Sequence, residues 1–546
     1  MPSEKKSTGA TFTPKILADF VASNIVKESK NILLHDNIKI LEPAIGEGEL
    51  ISSLLSLLDE NQLKSVEVFG FDINNKSLEL AKLRLKKEYP LLKNVILKNE
   101  DYLQHFLENS SGLFQEKFDI IIANPPYVRT QIMGSKASKE LSLRFNLTGR
   151  TDLYQAFIVA MLESLSPDGT MGVIASNRFM SVKNGETVRR AFVEKSQLIN
   201  VWDLGDTKIF DAAILPAVVI TKGPGAPLTQ PSLTSIYETN ESATNLADNQ
   251  IDALNYIGNV QVNQITYKVQ KGNLDTSGDH WILSNSEVDE WLERVQSKTW
   301  KEFKDIGKIR VGIKTCADKV FIRNDWDTFA SDDLPELVRP LTTHFIARRF
   351  KADSSKHDYR VLYPHAIENG KRKSVDLSIY PKSEKYLIDH KVSLQGRKYL
   401  AEAGRNWYEI WVPQDPSLWK KKKLVFRDIA KEPTFWLDDT GSIINGDCYW
   451  MIAEDSKDEE LLWLAMAIAN SPFIEKFYDV KFNNKLYAGR RRFITQYVEK
   501  FPLPDPSLEN SKRIIQLSKD IYNAVGSDNY QSIKSELDAL VWHSFS

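Results

Sequence analysis

Asn124, Pro125, Pro126 and Tyr127 follow directly on the apolar run Ile120–Ala123. An asparagine carboxamide carries one acceptor oxygen and an NH2 donor group. Two prolines fix φ and remove two backbone donors, so the chain must leave the preceding strand in a rigid, extended exit. This cluster suits the handling of an aromatic amine. The exocyclic NH2 of adenine is a poor nucleophile because its lone pair is delocalised into the ring. The Asn124 side-chain oxygen and the Pro125 carbonyl would each accept one N–H and draw that nitrogen toward tetrahedral geometry. Its lone pair would then face an electrophile, and Tyr127 offers a ring for the base to stack on. The same four residues also suit an ordinary surface turn, and the surrounding chain has to decide.

Acidic residues mark three further places. Glu42-Pro43-Ala44-Ile45-Gly46-Glu47-Gly48-Glu49 is a glycine turn crowded by carboxylates. It lacks the third glycine of a dinucleotide fingerprint, and its acids would repel a pyrophosphate but accept a cofactor with a cationic amino group. Asp72 closes the run Val66–Asp72 and has the placing of a carboxylate that binds ribose hydroxyls. Its other reading is a cap for the helix that follows. Asp101 and Tyr102 would accept from an adenine amino group and pack on its ring, or Asp101 is a solvated loop acid.

The elements that must position these residues are legible from periodicity. Thr13 reads as the N-cap and Pro14 as the first residue of a helix with Leu17, Phe20, Val21 and Ile25 on one face. Ile38–Leu41, Val66–Asp72, Val95–Leu97 and the run before Asn124 read as strands, the last buried on both faces as in a parallel sheet. Strand, glycine turn and helix begin a nucleotide-binding unit, and open α/β sheets place ligands at the carboxyl ends of their strands. Val128–Arg150 reads as a polar binding loop, followed by a helix over Leu153–Leu165 and strands at Thr170–Ala175, Val201–Leu204 and Ala217–Thr221. Phe210 lies between the last two, either as core or as a second wall for a stacked base.

The 546 residues exceed one core, and 42% hydrophobic with 26% charged content is that of a globular protein. No apolar run is long enough to span a bilayer, and Cys316 and Cys448 have no second Cys or His at ligand spacing. No metal and no membrane are expected, and the cytoplasm is the natural compartment. The net charge of −2 leaves room for a locally basic cleft. Pro224–Asn249 is rich in turn residues and marks a junction. Ser284 and Glu287 read as the capping box of a helix. From Lys301 onward cations interleave with rings: Arg348-Arg349-Phe350, Arg405-Asn406-Trp407-Tyr408, Trp419 with Lys420–Lys423, and Tyr487 with Arg490–Phe493. These clusters point to phosphate contact. The expected domains are 1–240, 241–300 (linker and connecting helix) and 301–546.

In this order the motifs closely resemble the TaqI-like, gamma-class N6-adenine DNA methyltransferases: Thr11–Phe20, Leu41–Leu50, Phe69–Asn74, Glu100–Tyr102, then Asn124–Tyr127. The resemblance covers roughly 220 residues, about one domain. It implies an α/β fold, a doubly wound sheet of seven strands with one antiparallel strand near an edge, and a separate mixed α+β domain for target recognition. It implies S-adenosyl-L-methionine as cofactor, with Thr13, Glu42 and Ala44 near its methionine part and Pro43 and Gly46 also among the cofactor-binding residues. Asp72 would lie at the ribose, Asp101 with Tyr102 at the adenine, and Ile73 would be a further cofactor-binding residue. Asn124, Pro125, Pro126 and Tyr127 would hold the target base, and Phe210 would match the family's second stacking aromatic. The implied partners are double-stranded DNA and a cognate restriction endonuclease. An N4-cytosine methyltransferase, a protein-glutamine methyltransferase and a catalytically idle DNA-binding specificity subunit stay open at this point. A fused nuclease is not expected, because no convincing Asp/Glu-x-Lys cluster stands at a strand end.

Overall fold

The computed structural model describes residues 13–109, 116–127, 135–147, 152–210, 215–278, 280–330, 332–353, 355, 358–455, 458–482, 486 and 489–546. Thr11, Phe12, residues 128–134 and 148–150 of the expected Val128–Arg150 loop, Tyr487 and Ala488 lie outside them; within that loop Ser135–Arg144 form a helix. The chain forms two compact units, Met1–Ser286 with Phe482–Gly489, and Glu287–Lys481 with Arg490–Ser546.

The first unit is built on one twelve-stranded sheet. Its first strands are β1 (Ile38–Glu42), β2 (Val66–Phe71), β3 (Asn94–Lys98), β4 (Phe118–Ala123) and β5 (Leu165–Ser176). The strands β6 (Gln197–Asp203) and β7 (Pro216–Lys222) follow. The order is β3-β2-β1-β4-β5-β7-β6, with β7 antiparallel to both neighbours and the other pairings parallel. These are the seven strands that the resemblance implies. Successive residues alternate faces, so Ile38, Ile40, Ile120 and Ile122 join one core layer while Leu41, Ile121 and Ala123 join the other. Helices α1 (Lys15–Glu28), α2 (Glu49–Leu55) and α3 (Asn75–Glu88) supply apolar residues to the first layer. Leu153–Ser164 supplies the second. A sheet with both faces covered is the doubly wound α/β arrangement.

The sheet does not stop at seven strands. β8 (Ser232–Glu238) pairs parallel to β6, and β9 (Asn245–Ala247), β10 (Gly258–Val262), β11 (Ile265–Asp275) and β12 (Ile282–Ser284) continue it. Residues 241–300, expected as a linker with a connecting helix, therefore carry sheet strands before the helix Ser286–Lys298. Ser284 is the last residue of β12, and the helix begins two residues later, at Ser286. β10 and β11 are joined through Asn263 and Gln264, with Val262 opposite Ile265. Asn263 takes φ +54° in this two-residue turn.

The second unit has a core of Trp326, Trp436, Trp450, Phe321, Leu387 and Ile444 with their neighbours. Two four-stranded sheets, several strand pairs and the helices Glu509–Ala524 and Tyr530–Ser544 make it a mixed α+β body.

Candidate active site

β1 has β2 on one side and β4 on the other, so the direction of winding reverses between β1 and β4. Ligands of open sheets bind outside the carboxyl ends of strands at such a switch point. Glu42 ends β1 and Asn124 follows β4 there.

The carboxamide of Asn124 is held in one sense. Its Nδ2 donates to the Thr13 hydroxyl at 2.9 Å, a contact across 111 residues. The other end, Oδ1, is buried and has no hydrogen-bond partner among the described residues. Thr13 is thus not the helix cap: Pro14 takes that position, and its carbonyl accepts from Leu17 and Ala18. A buried acceptor without a donor is costly in a folded protein. Here it sits where a ligand amine would satisfy it. Pro125 is buried and Pro126 half-buried. The Tyr127 ring is partly exposed and lies 6.0 Å from that of Tyr154, at 47°. Burial pushes the Tyr127 phenol well above its ordinary range, so this hydroxyl stays protonated.

Glu42 is 2% exposed. Its Oε2 accepts from the backbone N–H of Ile51 at 3.1 Å in the first turn of α2. Burial raises the carboxyl well above the ordinary carboxylate range, the Ile51 N–H lowers it in part, and nearby Asp72 raises it again. An acid in this state favours a cationic neighbour. Pro43 is buried and Ala44 packs against the second core layer. Gly46 and Gly48 take φ +53° and +78°, the left-handed region that favours glycine.

The rim is tied together by hydrogen bonds. Asp72 accepts from Gly46 N at 2.8 Å through Oδ2 and from Asn74 N at 2.7 Å through Oδ1. Asn74, not Asp72, caps α3 through Lys76 N and Ser77 N. Asn99 Nδ2 donates to the Asp72 carbonyl at 2.8 Å. Ile73, beside Asp72, is 66% exposed, an apolar side chain held open at the rim. Asp101 accepts from Leu103 N at 2.8 Å at the start of α4 (Tyr102–Asn109).

Residues 66–210 match the Eco57I restriction-modification methylase family, and residues 360–503 match the TaqI-like C-terminal specificity domain. The Type II methyltransferase M.BanIII of Aneurinibacillus aneurinilyticus is 35% identical over 542 residues, covering 95% of this chain and 93% of that protein. The chain belongs to the type II DNA methyltransferases. Within them it is of the TaqI-like, gamma-class layout. M.BstVI of Geobacillus stearothermophilus is 24% identical, covering 97% of each chain. The fold resembles that of the Type IIL restriction-modification enzyme MmeI, solved in complex with DNA. The TM-score is 0.64 at 14% identity, over 100% of this chain and 77% of that one.

Two expected site residues of this type II methyltransferase lie among its core residues. Tyr102 is 3% exposed, its hydroxyl 3.0 Å from Ser164 Oγ and its ring among Phe71, Phe106 and Phe157. Phe210 is 5% exposed and joins the core layer of α1, whereas Tyr127 packs on the opposite face of the sheet. The two rings do not form a sandwich. Residues 211–214, next to Phe210, lie outside the described residues. Sequence reasoning missed Tyr154 behind Tyr127; it reads as one more apolar position of its helix.

The basic–aromatic clusters are also partly structural. Arg349 pairs with Glu475 at 2.9 Å and Glu432 at 3.2 Å, and Arg405 with Glu409 at 2.8 Å. Arg491 pairs with Asp479 at 2.7 Å and Arg492 with Asp428 at 2.9 Å. Lys423 is fully buried, donating to the carbonyls of Trp419 and Lys421. Arg348, Lys420, Lys421 and Arg490 remain exposed. No helix among the described residues is long and apolar enough to cross a membrane.

Proposed function

We propose that this methyltransferase transfers a methyl group from S-adenosyl-L-methionine to N6 of an adenine rotated out of duplex DNA. It would serve as the modification arm of a restriction-modification system, with a cognate endonuclease reading the same site. The observation that carries the reading is the Asn124 carboxamide: amide nitrogen committed to Thr13, oxygen buried and unpartnered among the described residues.

The residues present fit the cofactor. Glu42 and the left-handed Gly46–Gly48 turn favour the cationic amino group, Asp72 the ribose hydroxyls, and exposed Ile73 the adenine face. When bound, S-adenosyl-L-methionine supplies a methyl carbon on a sulfonium, an electrophile that requires no covalent enzyme intermediate.

A base inside the stack cannot reach the carboxyl edge of a sheet. Rotating it out costs about a few kcal/mol, and stacking on Tyr127 recovers roughly 1–3 kcal/mol. Asn124 Oδ1 and the Pro125 carbonyl accept the two N6 hydrogens, which localises the lone pair on nitrogen. The rest is placement of two reactants in line. Asn124→Ala is expected to leave cofactor affinity nearly intact and to lower the single-turnover rate at least ~100-fold, the scale of one preorganised polar contact. Transfer at the wild-type rate would remove Asn124 from the mechanism. In Tyr127→Ala the quenching of 2-aminopurine at the target position is expected to be lost, and retained quenching would mean that Tyr127 does not stack on the base.

A further inference from the structure

Residues His365–Glu368 and Lys371–Ser374 form a two-stranded antiparallel sheet of their own, within the segment that matches the specificity domain. Its turn is Asn369-Gly370, at φ +51° and +71°, the mirror-image turn that matches strand twist. Residues 367–373 are all exposed, and three consecutive ones are cations, Lys371, Arg372 and Lys373. The base is fixed. His365 is buried, its Nε2 accepts from Ile410 N at 3.0 Å, and burial with Arg405 and Arg372 nearby lowers its pKa to about 3. A rigid, neutral foot thus carries a charged tip.

The tip differs from the clusters that sequence reasoning singled out. There, most cations are committed to internal carboxylates or carbonyls. Here, among the described residues, Lys371 has no ion pair and Lys373 meets only Glu368, at 3.6 Å with both groups about half exposed. Such a pair is weak and readily exchanged. Arg372 lies on the other face, braced by the Gln414 carbonyl at 3.2 Å. By register, Lys371 and Lys373 share one face with Ala366 and Glu368, while Arg372 shares the other with Ile367.

We propose that this hairpin is a duplex-contacting element: a two-stranded ribbon that enters the major groove of the DNA substrate with Lys371 and Lys373 on backbone phosphates. The dimensions agree. Paired strands lie about 4.8 Å apart, and a major groove about 12 Å wide admits a two-stranded ribbon. The polyanion supplies the charges that Lys371 lacks and that Glu368 only weakly provides to Lys373. The inference rests on duplex DNA being the substrate.

The test is fluorescence-anisotropy binding of the full chain to a duplex bearing its methylation site, between 50 and 300 mM NaCl. Each phosphate contact contributes about 0.9 to the slope of log K against log salt. Lys371→Ala with Lys373→Ala is expected to make the slope shallower by about 1.8 and to weaken binding about tenfold at 100 mM salt. Lys86→Ala with Lys87→Ala, the same charge change on exposed α3, is expected to leave both unchanged. Wild-type affinity and slope in the hairpin variant would overturn the hairpin's role and leave the methyltransferase reading intact, as would an equal loss in the α3 variant. A wild-type chain that binds no duplex would overturn both.

Discussion

At the residue scale the proposed chemistry turns on which end of one carboxamide faces the ligand. Thr13 accepts from Asn124 Nδ2, which leaves Oδ1 as the end for a ligand amine. Thr13→Val removes that acceptor and keeps the shape. Single-turnover transfer at saturating cofactor is expected to fall about tenfold, the worth of one hydrogen bond, and Thr13→Ser to restore it. Equal rates in all three proteins would show that Thr13 does not orient the amide. Glu42 makes a second prediction. Its folded pKa lies above the unfolded one, so the proton it holds stabilises the free protein below the ordinary carboxylate range. That contribution is lost as pH rises through the raised value. Glu42→Gln is therefore expected to stabilise the free protein near neutral pH by about 1 kcal/mol and to weaken cofactor binding at least ~30-fold, as a lost buried charge pair does. In the wild type, cofactor binding should release a proton, seen by calorimetry in buffers of different ionisation enthalpy. Heat independent of buffer would contradict the role.

At the scale of elements, the glycine turn and the strands that end at the site do the positioning. Gly48 takes φ +78°, and a Cβ there would touch Ala81 Cβ at 3.4 Å. Gly48→Ala is expected to cost about 1–2 kcal/mol in the left-handed region, read as a lower urea midpoint. An unchanged midpoint would mean that the turn tolerates a side chain. The strands from Ile38 to Thr221 were legible because central parallel strands are unbroken apolar runs. β8 to β12 were not, because they alternate Ser, Thr, Asn, Gln and Lys with apolar residues and read as loop. Leu233, Ile236, Val260 and Val269 are the inward set that gives them away. Tyr102 and Phe210 lie among core residues, which the sequence could not tell: a ring beside a motif looks the same whether it faces a ligand or the core. The cation clusters were misread because their partners are distant in sequence, Asp428 lying 64 residues from Arg492.

Across the whole molecule, a net charge of −2 coexists with an exposed cationic hairpin in one unit and an acid-rimmed sheet edge in the other. Charge is therefore segregated by task, and the total says little about the partner. The family fixes a DNA methyltransferase; the base it modifies is what the account adds. An N4-cytosine enzyme would need the same acceptors, so geometry at Asn124 does not separate the two bases, whereas the products do. The most direct measurement is mass analysis of nucleosides from unmethylated duplex DNA incubated with the purified chain and S-adenosyl-L-methionine. The account predicts N6-methyldeoxyadenosine as the new nucleoside; N4-methyldeoxycytidine, or no modified nucleoside at all, would contradict it.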